Sequence, residues 1–203
     1  MSAPKPDAPP PSTGGCAGDG LFVAVVGPSG AGKDSLINGL RGLLGEADGV
    51  FYARRVVTRR ADAFEDHDTL AENEFLRARE EGRFALTWPA HGLLYGVPNE
   101  VDARITNGGV VVCNVSRAAA AEVRRRYRRS LVVLITASPE TLAARLASRG
   151  RESAEGRRSR LDRSASPEVV LEADATIDND GSLEEAIDRL RDLVVAHRAA
   201  RRT

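Results

Sequence analysis

Residues 25–37 read VVGPSGAGKDSLI, and the fold follows from how this stretch is read. Gly27, Gly32 and Lys33 fit the pattern G-x-x-x-x-G-K of a phosphate-binding loop, a turn whose backbone N–H groups wrap an anion while a lysine reaches its outer oxygens. The next position departs from the pattern: a Ser or Thr that ligates magnesium is usual there, and this chain has Asp34. With 19 glycines and two lysines in 203 residues, the pattern arises by chance about 0.02 times per chain, so coincidence is a weak rival.

The flanking sequence supplies what such a loop needs. LFVAVVG (21–27) is a continuous apolar, β-branched run ended by glycine, the mark of a strand buried on both faces. KDSLINGLRGLLG (33–45) then sets Leu36, Leu40, Leu43 and Leu44 at helical spacing and stops at Gly45. Strand, loop and helix in that order aim a helix N-terminus at the phosphates. Two more buried-type strands, GGVVVCNV (108–115) and SLVVLITAS (130–138), are each followed by a helical stretch, SRAAAAEVRRRYRR (116–129) and PETLAARLASRG (139–150). The alternation predicts an α/β fold, a parallel sheet flanked by helices in three layers with right-handed crossovers.

Between these units, FYARRVVTRR (51–60) reads as one strand, LAENEFLRAREEG (70–82) as a helix, and FALTWPAHGLLYGV (84–97) as extended segments turning at Pro89 and Gly92. This middle section, about 51–108, is expected to form a small subdomain. The arginine-heavy piece RGRESAEGRRSRLDRSA (149–165) interrupts before a last short strand and an amphipathic helix begun at Ser182. A domain over 21–199 is expected, with tails at 1–20 and 200–203.

Composition limits the partners. The 29 basic and 29 acidic residues cancel, which leaves no global field for nucleic acid or an anionic membrane. RRRYRR (124–129) reads as a solvated helix end rather than a nucleic-acid surface. No run approaches the ~20 apolar residues of a membrane span, and the Pro/Gly/Ser-rich start lacks a signal peptide's apolar core, so a cytoplasmic protein is expected. Cys16 and Cys113 make poor material for a disulfide framework; Cys113, inside an apolar run, reads as a small core residue. Only Lys5 and Lys33 among the basic residues are lysines. Lysine is thus kept where a compact ammonium has to reach into a loop that a planar guanidinium does not fit.

In the phosphate-loop reading Gly27, Pro28, Ser29, Gly30, Ala31 and Gly32 cradle the phosphates of ATP, and Lys33 bridges the outer ones. The other usual magnesium anchor is an acid at the end of a second strand, where this chain has Asn114. A carboxylate present at one anchor and missing from the other suggests that Asp34 supplies the charge near magnesium, with Ser35 and Asn114 as neutral helpers. General base and helix N-terminal charge are the competing roles for Asp34.

Together GPSGAGKDSL, VTRR, ENEF, FALTWPAHGLLYGV, RLASRGRES…SRL and IDNDGSL resemble the nucleoside-monophosphate-kinase-like P-loop NTPase fold over about Leu21 to Ala199. The resemblance is to the guanylate kinase group and, more specifically, to ribose 1,5-bisphosphate phosphokinases. Guanylate kinases carry Ser or Thr, a second arginine and an acid where this chain has Asp34, Asp62 and Asn114, whereas Asp after Gly-Lys and the set Asn114, Ser116, Arg117 resemble the ribose bisphosphate enzymes.

The resemblance implies ATP- and magnesium-dependent phosphorylation of ribose 1,5-bisphosphate to 5-phospho-ribose 1-diphosphate (PRPP) and ADP, a step in phosphonate catabolism. It implies an acceptor subdomain whose Thr58, Arg59, Arg60, Glu65, His91 and Tyr95, with Asn114, Ser116 and Arg117, face the sugar bisphosphate. It also implies a lid over about 149–164 whose Arg149 and Arg160 act on the transferred phosphoryl group while Arg151, with Asn179 and Asp180 near the adenine, binds ATP. The alternatives are a guanylate-type nucleoside monophosphate kinase, a sugar kinase using Asp34 as base, and a catalytically inactive kinase-like interaction module. Nothing in the sequence sets an oligomeric state.

Overall fold

Every residue of β1 (Leu21–Val26) is buried. Leu21, Val23 and Val25 face one apolar cluster, and Phe22, Ala24 and Val26 face the other. A strand's two-residue period divides a continuous apolar run between two cores in this way, and each fully buried side chain of this size contributes about 2 kcal/mol. The strand is central in a five-stranded parallel sheet of order β2 (Val50–Tyr52), β7 (Val110–Asn114), β1, β8 (Ser130–Thr136), β9 (Ala175–Asp178). The computed structural model describes residues 18–58, 67–90, 92–148 and 172–200. Cys16, Arg59, Arg60, Glu65, His91, Arg149, Arg151 and Arg160 lie outside the described residues.

Two helices, α1 (Lys33–Leu43) and α6 (Leu183–Ala199), cover the first face. They pack closely at Gly39, where a Cβ atom would stand 2.1 Å from Ile187 Cδ1. Leu36, Ile37 and Leu40 carry the buried side of α1. Leu43, expected on that side, is 50% exposed, because the helix ends there and Leu44 turns back onto the core in extended backbone.

The second face holds α3 (Glu100–Thr106), α4 (Arg117–Arg126) and a four-stranded mixed sheet of order β4 (His67–Thr69), β3 (Arg55–Val57), β6 (Leu93–Pro98), β5 (Phe84–Ala90). The short helix α2 (Glu72–Glu80) lays Phe75 on Phe84, ring centroids 4.6 Å apart. Helix α5 (Pro139–Ser148) follows β8. Among the described residues no helix is long and apolar enough to cross a membrane.

Two local expectations are corrected. FYARRVVTRR is not one strand: the chain leaves the main sheet after Tyr52 and enters the small sheet at Arg55, so its two halves serve different layers. Pro89 does not turn the chain but sits within β5, exposed on an edge strand where a missing N–H costs no internal bond. The chain reverses between Ala90 and Leu93, which pair across the two strands, with Gly92 at φ 73°.

RRRYRR also differs from its reading as a solvated face. Tyr127 is 1% exposed and stacks on Phe22 at 4.7 Å, and its hydroxyl donates to Asp102 Oδ1 at 2.8 Å. Arg126 pairs with the same carboxylate at 2.5 Å, with most of both side chains out of water. Burial and the adjacent Asp102 charge hold the Tyr127 hydroxyl well above its ordinary value. Asp102→Ala, which leaves a half-buried guanidinium and a buried phenol without their acceptor, is expected to destabilise the fold by about 2–4 kcal/mol in denaturant unfolding.

Burial pushes the Cys113 thiol up to about 12. A folded-state value raised in this way contributes stability that is complete below the ordinary value and lost as pH rises through the folded one. Cys113 should therefore escape alkylation at pH 8 in the native protein and react only on unfolding, read by peptide mass spectrometry.

Candidate functional site

The C-terminal ends of parallel strands are where an open α/β sheet presents a ligand crevice, and here they gather the marked residues. Val25 pairs with Asn114 on one side and Val133 on the other, so the loop after β1 emerges between the ends of β7 and β8. Gly27 has φ 149°, and a Cβ there would lie 2.2 Å from Ile135 O on β8. Gly32 has φ 91° and caps α1 with no side-chain bond to the first-turn N–H groups. Those donors therefore point into the loop, next to the positive end of the helix dipole. Lys33 Nζ donates to Gly27 O at 2.9 Å and to Pro28 O at 2.8 Å, so the ammonium is held within the turn. Ala31 is fully buried, whereas Ser29 is exposed at the tip.

Asp34, a carboxylate where Ser or Thr is usual, and Asn114, an amide where an acid is usual, meet. Asn114 Nδ2 donates to Asp34 Oδ1 at 2.7 Å across 80 residues of chain. The Asp34 carboxylate accepts no other hydrogen bond among the described residues, so its second oxygen is available to a cation or water. Ser35 is exposed and makes no hydrogen bond to this pair. No cluster of three or more His, Cys, Asp or Glu side chains suited to a metal occurs among the described residues. A single carboxylate beside the lysine of a phosphate loop does fit magnesium, which keeps several waters and draws its remaining ligands from phosphates.

Asn179, just past β9, is 2% exposed and ties the loop down. Its Nδ2 donates to Ala31 O at 2.8 Å, its N–H donates to Thr136 O at 2.9 Å, and its carbonyl accepts from Arg145 Nη2 at 2.8 Å. Arg145 lies on α5, one turn before the segment read as a lid, and nothing in the sequence singled it out. The Asp180 carboxylate accepts from Ser138 N at 2.9 Å and from Ser138 Oγ at 3.0 Å, fastening the start of α5. Hydrogen bonds from Thr141 and Ser138 hold it below the usual carboxylate range.

The acceptor-side candidates are spread over two layers. Thr58 Oγ1 accepts from Leu94 N at 2.9 Å and ties β3 to β6. Tyr95 stacks on Trp88 at 5.6 Å with the rings 8° from parallel. Ser116 caps α4, its Oγ accepting from Ala119 N at 3.0 Å, and Arg117 opens that helix. A cleft beside the phosphate loop is lined by Asp34, Asn38, Arg41, Arg55 and Asn114. Arg41 and Arg55 were missed in the sequence, the first as one charge on a helix, the second as part of an arginine pair opening a strand.

At Gly32 a Cβ would lie 2.4 Å from Asn179 Nδ2, and the left-handed backbone there disfavours any side chain. Gly32→Ala is expected to lower stability by about 2 kcal/mol or more, read by denaturant unfolding. Gly42→Ala, with open space around its Cβ, should be neutral or stabilising.

A family model for guanylate kinase matches residues 21–197. The chain is 48% identical over 165 residues to the ribose 1,5-bisphosphate phosphokinase PhnN of Brucella melitensis, covering 81% of this chain and 86% of that protein. It is 46% identical over 174 residues to the protein of the same name from Pseudofrankia inefficax, covering 85% and 90%. Among solved structures, guanylate kinase from Anaplasma phagocytophilum matches the fold with a TM-score of 0.67 at 21% identity, covering 89% of this chain and 87% of that one. A loop seated between central parallel strands and this extent of likeness lead to one placement: the chain belongs to the guanylate kinase family and, within it, to the ribose 1,5-bisphosphate phosphokinases.

Proposed function

We propose that this protein transfers the γ-phosphoryl group of ATP to ribose 1,5-bisphosphate, forming 5-phospho-ribose 1-diphosphate and ADP, as a cytoplasmic enzyme of PRPP formation and phosphonate breakdown. Its membership of the ribose 1,5-bisphosphate phosphokinases carries the reading. The Asp34–Asn114 bond supports it, because it gives the departure from the guanylate kinase pattern a physical partner.

The backbone of Gly27, Pro28, Ser29, Gly30, Ala31 and Gly32 cradles the nucleotide phosphates, and Lys33 exchanges the loop carbonyls for outer phosphate oxygens. Asp34 holds magnesium directly or through water, oriented by Asn114, with Ser35 as a lesser contributor. The ion, when bound, offsets negative charge on the transferred phosphoryl group. Asn179 and Asp180 fix the loop and α5 on the nucleotide side, so their part in nucleotide binding is to hold the cradle in shape.

An oxygen of the acceptor's 1-phosphate attacks the γ-phosphorus while the bond to the β-bridging oxygen breaks and ADP leaves. That phosphate is already dianionic above its second pKa of about 6, so no side chain has to remove a proton. Positioning and charge neutralisation then supply the catalysis. Thr58, Tyr95, Ser116 and Arg117, with Arg59, Arg60, Glu65 and His91, make up the acceptor side over 51–108 and the start of α4. The same reading assigns Arg149, Arg151 and Arg160, which lie outside the described residues, to the nucleotide as parts of a water-excluding lid over 149–164.

Measured by coupled ADP release, turnover is expected with ribose 1,5-bisphosphate and to be at least about 100-fold weaker with GMP or AMP; strong turnover with GMP alone overturns the assignment. Asp34→Asn should raise the magnesium concentration for half-maximal rate about 10-fold while leaving much of the rate at saturating magnesium. A general-base role predicts instead a collapse of kcat that magnesium does not rescue.

A further inference from the structure

Arg55 opens β3 where the chain passes from the main sheet to the small one, and its side chain is half-buried in the cleft it shares with Asp34 and Asn114. Its guanidinium carbon lies 6.0 Å from the centroid of the Tyr95 ring. Among the described residues no carboxylate, carbonyl or hydroxyl accepts from any of its N–H groups. Neighbouring arginines are engaged: Arg54 pairs with Asp68 at 3.2 Å, Arg104 with Glu46 at 3.5 Å, and Arg41 donates to Asn38 Oδ1 at 3.3 Å. A guanidinium drawn partly out of water with an aromatic ring as its partner is incompletely satisfied, and a ligand that brings anionic oxygens offsets that cost.

Resting on the phosphoryl-transfer reading above, we propose that Arg55 is the fork that grips the accepting phosphate of the sugar bisphosphate. A planar guanidinium matches two phosphate oxygens at once, which an ammonium does not. Position selects which phosphate. Asp34 follows the loop lysine directly, so a phosphate in the cleft between Asp34 and Arg55 is the one next to the outer phosphates of the nucleotide. Two phosphates and the Asp34 carboxylate repel one another there, and a fixed cation in the cleft offsets that repulsion as the new P–O bond forms.

The test uses the full-length enzyme with saturating ADP and magnesium, and measures by calorimetry the binding of ribose 1-phosphate and ribose 5-phosphate to wild type, Arg55→Gln and Arg55→Lys. Arg55→Gln is expected to weaken ribose 1-phosphate about 10- to 100-fold, with ribose 5-phosphate changed less than about 3-fold; Arg55→Lys should recover part of the loss. In steady-state kinetics the same variant should raise KM for ribose 1,5-bisphosphate and leave KM for ATP and the melting temperature unchanged. Equal losses on both monophosphates, a loss confined to ribose 5-phosphate or to ATP, or no loss at all overturns the proposal. A wild-type enzyme that binds ribose 1-phosphate through Arg55 yet does not turn over the bisphosphate refutes the assigned reaction and leaves the anion site standing.

Discussion

Between the last residue of β1 and the first of α1 the chain has six residues in which to reverse direction beside two neighbouring strands, and there is no room for side chains where it does so. The carbonyl of Ile135 occupies the place a Cβ would take at Gly27, and the amide of Asn179 occupies it at Gly32. Because both positions are glycine, the backbone can adopt positive φ and lie against its neighbours. The first turn of α1 adds its own uncapped donors at the end of this turn. The anion-binding role proposed for the loop thus depends on tight packing, and packing errors there would become binding errors.

Around that loop the fold works as a holder. Hydrogen bonds from Lys33 to two loop carbonyls, from Asn179 to Ala31, and from Arg145 to Asn179 link α1, β9 and α5 to one turn. Helix α5 runs from the end of β8 toward the arginine-rich segment, so the residue that steadies the loop also touches the helix leading to the expected lid. On the opposite side Asn114 at the end of β7 orients Asp34, and the small sheet brings Arg55 to the same cleft. In the proposed reading, nucleotide and acceptor sides meet at the start of α1, as transfer between two phosphates requires.

Sequence reading succeeded where the signal was short-range and failed where distant segments met. The buried strand, the glycine turn and the helix up to Leu43 are adjacent in the chain, and each carries its own pattern: unbroken apolar residues, glycines at fixed spacing, and leucines at helical period. Ser182 and Ser116 as helix starts were legible for the same reason. The change of sheet between Tyr52 and Arg55 was not, since two short strands in series look like one long one until their partners are known. Nor was the burial of Tyr127, which lies among arginines that give every local sign of solvent; Asp102, 25 residues earlier, makes that site tolerable.

The amino-acid sequence by itself determined that this chain has the pattern of a phosphate loop in an α/β fold and that a carboxylate, Asp34, stands directly after its lysine, because those features sit within a few residues of one another. Only the tertiary structure decided that Asn114, 80 residues away, donates to that carboxylate, and that Arg55 shares a cleft with both. Parallel strands need long crossovers, so the residues collected at their C-terminal ends come from remote stretches of chain. Their juxtaposition is a property of strand order, which no local pattern encodes.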